Sequence, residues 1–190
     1  MKHKDARANR SRQALINAGI QLLIQNPGAS LKEVAEAAGV GRATLYRHFD
    51  TREQLIQEIA LESLEMTDTA MAPVHARNGT ARETLCDMFR VLMPMADRYH
   101  FLLSLWSLAE EDKQVNDIYQ QQLERLHELI ERGKQQGSIR SDLNSDWVMV
   151  MIDTMIYSGW WLIGEGKCDA EQAANNAIST LFSGIGMTPD

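Results

Sequence analysis

Apolar residues recur at intervals of three and four along the chain, and no stretch keeps the strict alternation of a half-buried strand, so the pattern predicts an all-α protein. The first amphipathic segment covers about 10–25, with Leu15, Ala18, Leu22 and Leu23 inward, and stops at Asn26, Pro27 and Gly28. Ser30 and Glu33 have the spacing of a capping box that opens a second helix, which ends at Ala38 with Gly39 where a left-handed C-cap belongs. A third helix of roughly seven to nine residues begins at once near Gly41 and stops near Phe49. Asp50 and Glu53 form another box, opening a fourth helix expected to reach about Met71, ahead of Pro73.

Residues 73–79 combine Pro, Gly and Asn with a lapse in periodicity and mark a candidate boundary. Helices are then expected at about 80–98, 101–110, 113–136, 145–163 and 169–184, the last opened by Asp169 with Gln172. Gly137 with Ser138, and the stretch from Gly164 to Lys167, read as turns. No internal repeat is visible.

With 190 residues and 44% hydrophobic content the chain is large enough for a real core, and 12 Gly with 4 Pro exclude collagen-like or low-complexity classes. Cys86 and Cys168 stand far apart without metal-ligand spacing, so they read as small apolar residues, and neither a disulfide framework nor a zinc site is implied. His100 and His127 likewise lack ligand neighbours and read as structural or exposed. No metal and no cofactor is expected. The basic N-terminus runs into an amphipathic segment without the apolar stretch of a signal peptide, which suggests a cytoplasmic protein. Trp147 to Ile163 is apolar apart from Asp153, but it is short for a bilayer span and lacks flanking cations, so a buried helix is expected there and no membrane.

Charge is unevenly placed along the chain. The net charge is −7, yet residues 1–50 carry eight Lys or Arg against four Asp or Glu, while residues 51–190 carry eleven against twenty-two. A basic N-terminal quarter on an acidic chain suggests a local site for a polyanion; a solubilising tail is the alternative. The second and third helices with a tight Gly turn between them make a helix-turn-helix, in which Ala35 is small enough to let the third helix cross closely. Val34, Ala38, Val40 and Leu45 can bury against the first helix. At 100° per residue Leu45 and Phe49 face inward, Ala43, Thr44 and Arg47 face out, and Arg42 reaches from the first turn. Such a surface fits a DNA major groove, where Arg pairs with guanine and a Thr methyl meets thymine. Tyr46 and His48 can donate to phosphates. Ser30 and Lys32 at the start of the second helix, Gly41 at the start of the third and Arg52 at the start of the fourth suit backbone anchoring.

Residues 31–55, LKEVAEAAGVGRATLYRHFDTREQL, resemble the DNA-binding signature of the TetR family of transcriptional regulators, with Ala35, Gly39, Val40, Thr44, Leu45, Tyr46, Phe49 and Leu55 in place. The match covers roughly residues 8–56, under a third of the chain; beyond it only length and helical layout agree. Gly41 stands where many members have Ser, and Arg52 where Lys is usual. The resemblance implies about nine helices, an N-terminal three-helix DNA-binding domain, a C-terminal helical domain holding a ligand pocket, and a homodimer made through a four-helix bundle of the last two helices of each subunit. Domain limits of 1–52 and 53–190 are expected on this basis.

Nine of the ten Met and all four Trp follow residue 60, as a cavity for an apolar or aromatic compound would need, although ordinary core packing explains each singly. Met88, Leu92, Phe101, Leu105, Trp106, Met151, Met155 and Tyr157 are the candidate lining. Asp153 is expected either to pair with a His or Arg of another helix or to neutralise a cationic ligand. Small residues Ala173, Ala174, Ala177, Ser183 and Gly184 permit close helix approach beside Ile178, Leu181 and Phe182. The helix from Trp147 is apolar nearly all round, so a partner subunit is expected to cover it.

The leading expectation is a ligand-responsive repressor of a palindromic operator on double-stranded DNA, released by a small apolar or aromatic effector for which Asp153 allows a positive charge. An activator, a ligand-independent DNA-coating protein, and an enzyme with an accessory DNA module are the alternatives. Against the enzyme, the sequence holds no Gly-rich phosphate loop, nucleophile elbow or HExxH.

Overall fold

The computed structural model describes residues 2–184. Among them nine α-helices follow one another without a strand: α1 (Lys2–Gln25), α2 (Leu31–Ala37), α3 (Arg42–Leu45), α4 (Arg52–Ala76), α5 (Ala81–Leu92), α6 (Ala96–Ala109), α7 (Lys113–Gln135), α8 (Ser145–Gly164) and α9 (Ala170–Ser183), with a 3-10 turn at Met93–Met95. The chain divides into two compact units, one made of residues up to 65 with 100–118, the other of 66–99 with 119 onward.

In the first unit α1, α2, α3 and the start of α4 enclose Leu15, Ile16, Ile20, Leu23, Val34, Leu45, Phe49, Leu55, Ile56 and Ile59, each at most 2% exposed. Ala18 and Leu22 are only half-buried, so the inner stripe of α1 runs through Ile16 and Ile20 instead. Ala38 and Val40 are also half-exposed, whereas Val34 and Leu45 are fully inside, as expected. α1 begins at Lys2 and not near residue 10, since no Gly or Pro interrupts the polar stretch ahead of its buried part.

The second unit has its own core, in which Leu85, Phe89, Met93, Ile130, Ile152, Ile156 and Ala174 are almost wholly buried. α5 presents Ala81, Thr84, Leu85, Met88, Phe89 and Leu92 to it, a helical stripe that needs no other explanation than burial of apolar area. α9 packs against α5 and α8. Gly159 makes one of these approaches possible: a Cβ there would stand 2.2 Å from Met93 Sδ and 3.4 Å from Ala173 Cβ.

Further boundaries differ from expectation. Pro94 enters a 3-10 turn and ends α5 at Leu92, so the helix expected over 80–98 is divided and α6 starts at Ala96. α4 passes through Pro73 to Ala76, because Pro73 is exposed and only three helical residues follow it. Its cap is Thr51, whose Oγ1 accepts from Gln54 N at 3.1 Å while Gln54 Oε1 accepts from Asp50 N at 2.8 Å, in place of a box from Asp50 to Glu53. The boxes at Ser30, Thr80 and Asp169 are formed.

α8 is not the buried helix expected. Val148, Ile152, Ile156 and Gly159 are covered, but Trp147, Val150, Met151, Tyr157 and Trp161 are 37–62% exposed and form one long stripe on its other side. By length and composition alone α8 could cross a membrane.

Candidate nucleic-acid interface

The capping box fixes where α2 starts. Glu33 N reaches Ser30 Oγ at 3.3 Å, and Glu33 Oε2 accepts from Ser30 N at 2.7 Å and from its hydroxyl at 2.6 Å. These bonds hold the Glu33 carboxyl below the usual range, with Lys32 adding to the effect. Gly39 then turns the chain with φ +64°, and the Val40 N–H returns to Ala35 O at 2.9 Å, closing the turn over the small Ala35 side chain.

α3 follows from Gly41, which has no side chain to supply a cap bond. The α-helix proper has four residues and not the seven to nine expected. Beyond it His48 N and Phe49 N both bond Leu45 O, at 2.8 and 3.0 Å, and Arg47 N bonds Thr44 O at 3.3 Å, so the helix tightens as it ends. Leu45 and Phe49, 0 and 1% exposed, are its anchors. Arg42, Ala43, Tyr46 and Arg47 lie on the exposed side, and Thr44 is half-buried at its edge.

The outward side chains are already arranged. Arg42 lies over the Tyr46 ring at 5.9 Å. Arg47 folds back, its Nε donating to Ala43 O at 3.2 Å and its Nη2 to Thr44 Oγ1 at 2.9 Å. Lys32 is exposed, 3.5 Å from Glu36.

Three of the expected anchors, Ser30, His48 and Arg52, are engaged within the unit, Ser30 through its bonds to Glu33. The His48 Nε2 lies 2.9 Å from Ser11 Oγ on α1, and Ser11 Oγ also bonds Ala8 O at 2.9 Å. One hydroxyl proton serves both only if it goes to Ala8 and His48 donates. Burial, with Arg47 and Arg12 nearby, holds the imidazole below its ordinary value. Arg52 Nε donates to Ala29 O at 2.9 Å and its Nη2 to Pro27 O, tying α4 to the loop before α2. Sequence reasoning did not single out Ser11 or Thr51; a hydroxyl facing across a helix pair leaves no periodic signal.

The candidate effector residues separate. Phe101, Leu105 and Trp106 belong to the first unit, and Leu105 sits at a break in α6 with φ −124° and ψ 17°. Met88, Leu92, Met151, Asp153, Met155 and Tyr157 belong to the second. Met88, Leu92, Phe101 and Leu105 are buried; Met151 and Tyr157 are on the outer stripe of α8. Asp153 does have a partner on another helix, but it is neither His nor Arg: Tyr99 on α6 donates its hydroxyl to Asp153 Oδ1. Burial raises the Asp153 carboxyl, partly offset by this bond, and raises the Tyr99 phenol well above its usual value. Tyr119 on α7 is raised too, by burial and by the same carboxylate.

Residues 15–59 match the family model for bacterial regulatory proteins of the tetR family. The chain is 25% identical over 174 residues to the transcriptional repressor KstR2 of Mycolicibacterium smegmatis, covering 82% of this chain and 80% of that one. It is 27% identical to the regulator NfxB of Pseudomonas aeruginosa, over 89% of each. Residues 15–59 thus carry the DNA-binding domain of the TetR family. The fold of the chain is shared with the solved KstR2 of Mycobacterium tuberculosis, with a TM-score of 0.77 at 19% identity over 93% of this chain and 95% of that one. It is shared too with LfrR of Mycobacterium smegmatis solved with proflavine, with a TM-score of 0.75 at 20% identity over 95 and 98%. The matched residues take in the helix-turn-helix of α2 and α3.

Proposed function

We propose that this protein is a TetR-family repressor that reads a palindromic operator and leaves it when a small effector binds. Residues 1–52 read DNA; residues 53–190 hold the effector and the dimer contact. The exposed surface of α3 carries the reading: Arg42, Ala43, Thr44, Tyr46 and Arg47 stand over the buried anchors Leu45 and Phe49, the size and polarity that a major groove admits. Lys32 and the open amides after Gly41 fix the register on phosphates, while Ser30, whose donors both go to Glu33, serves by fixing the start of α2. Arg52 and His48 serve mainly by holding the reading surface, since their donors are directed to Pro27, Ala29 and Ser11.

Dimerisation through α8 and α9 accounts for the outer stripe of Trp147, Val150, Met151, Tyr157 and Trp161, an apolar surface that a second subunit would cover. It would set two copies of α3 about 34 Å apart, or a small multiple of that, one reading each half of the operator. The effector in this reading is apolar or aromatic, in keeping with LfrR, which was solved with proflavine, and Asp153 suits a positive charge on it. Preference of the effector for one dimer geometry by a few kcal/mol is enough to shift the population off DNA. The reading needs no metal, cofactor, catalytic group or membrane, and places the protein in the cytoplasm with its DNA.

The test is selection of DNA fragments by the full chain, followed by gel shifts on the selected sequence. A palindrome should be enriched, and Arg42→Ala and Tyr46→Ala should each weaken binding by about tenfold or more, the worth of a good base or phosphate contact. Unchanged affinity in both variants would refute the reading.

A further inference from the structure

A groove of about 490 Å³ opens on the second unit, lined by Arg77, Arg82, Glu83, Cys86, Asp87 and Arg90. Arg82, Cys86 and Arg90 follow one another at four-residue spacing along one face of α5, and Arg77 approaches from the end of α4. Residues 51–190 are strongly acidic, with eleven Lys or Arg against twenty-two Asp or Glu, yet three of those eleven meet here.

The two carboxylates in the groove are already occupied. Asp87 accepts from Arg77 at 3.0 Å and from Arg90 at 3.2 Å, so two guanidiniums divide one acid. Glu83 Oε2 is taken by the cap of α5, accepting from Thr80 N and from Thr80 Oγ1, both at 2.8 Å. Arg82 lies over the Phe182 ring of α9, 4.1 Å from its centroid. A cation–π contact to a ring does not use up the N–H donors of a guanidinium, which remain for an acceptor. Against the carboxylates of Asp87 and Glu83 the three guanidiniums leave one positive charge in excess, and they carry more N–H donors than Asp87 takes up.

We propose that this groove binds a small, multiply charged phosphate anion, held by the in-plane donors of Arg82 and Arg90 with Arg77 as the third contact. The proposal rests neither on the DNA-reading surface nor on the apolar effector residues. The ligand is inorganic diphosphate or the diphosphate of an organic compound.

Cys86 supplies a reporter within the groove, and Cys168, outside it, an internal control. Alkylation of the full-length protein is followed by mass spectrometry, with pyrophosphate, adenosine diphosphate or sodium chloride of equal ionic strength. Saturating pyrophosphate should slow Cys86 labelling about tenfold and leave Cys168 unaffected. Protection by adenosine diphosphate at much lower concentration than pyrophosphate would assign the site to an organic diphosphate; equal potency would assign it to the free anion. Arg82→Gln with Arg90→Gln should abolish the protection while the circular dichroism spectrum is kept. A direct calorimetric titration of the unsubstituted protein with pyrophosphate covers the case in which the variant does not fold. Labelling slowed no more by pyrophosphate than by chloride, with no heat of binding, overturns the proposal.

Discussion

The Tyr99 hydroxyl on α6 is bonded to the Asp153 carboxylate on α8, so the single charge between Trp147 and Ile163 is held by a neutral donor and not by a countercharge. Burial raises the Asp153 carboxyl above its ordinary value, and the Tyr99 bond works in the opposite direction by favouring the charged form.

A stability profile with a definite sign follows from the raised Asp153 carboxyl. Between its ordinary value of 3.8 and its higher folded value, the folded chain keeps a proton that the unfolded chain has released. This contribution is complete below the ordinary value and is lost as pH rises through the folded one. Asp153→Asn keeps an acceptor for Tyr99 and should flatten the profile. Asp153→Ala leaves the Tyr99 hydroxyl without its acceptor and should cost about 1–3 kcal/mol at neutral pH. Urea unfolding between pH 4 and 8 checks both.

Gly39→Ala should destabilise the first unit by about 1–2 kcal/mol, because φ +64° brings a Cβ against its own backbone although space around the residue is open. Thermal unfolding gives the stability loss. Operator affinity measured well below the transition should also fall, since this turn aims α3. A variant as stable as the parent would show that the turn relaxes to another conformation.

Gly159→Ala places a methyl 2.2 Å from Met93 Sδ, and repacking of this site should cost about 1–3 kcal/mol. Met93→Ala costs stability of its own by leaving a void. The two together should cost less than the sum of the singles, and a double-mutant cycle by chemical denaturation measures that coupling.

Val150→Glu with Trp161→Lys should convert the protein to monomers in sedimentation velocity runs and abolish operator binding, while each subunit stays folded. Both side chains are 50% exposed or more, so neither change touches the core of the subunit. A variant that sediments as the parent does would remove α8 from the proposed interface.

Local chemistry was legible in the sequence wherever one or two neighbouring residues decide the outcome. Ser30 with Glu33, Asp169 with Gln172, and Gly39 each act through their own backbone, so reading the residues located α2, the start of α9 and the turn. Leu45 and Phe49 followed from the helical period. What remained illegible depends on contacts across the fold. Periodicity put Asp153 on an apolar helix without indicating that Tyr99 faces it. Charge marked His48 and Arg52 as phosphate contacts, whereas Ser11 and the carbonyls of Pro27 and Ala29 take up their donors. The groove at Arg82 and Arg90 escaped notice because Arg77 and Phe182 lie on other elements. The end of α3 was misjudged because nothing in its composition distinguishes a regular last turn from a tightened one.

That short α3 has a further consequence. A single turn of helix is unstable alone in water, so it borrows its form from Leu45 and Phe49 beneath it. Its outer letters are thereby uncoupled from its shape. Arg42, Ala43, Tyr46 and Arg47 form an exchangeable vocabulary on a fixed stem, and new operators can be addressed by rewriting them without rebuilding the head that carries them.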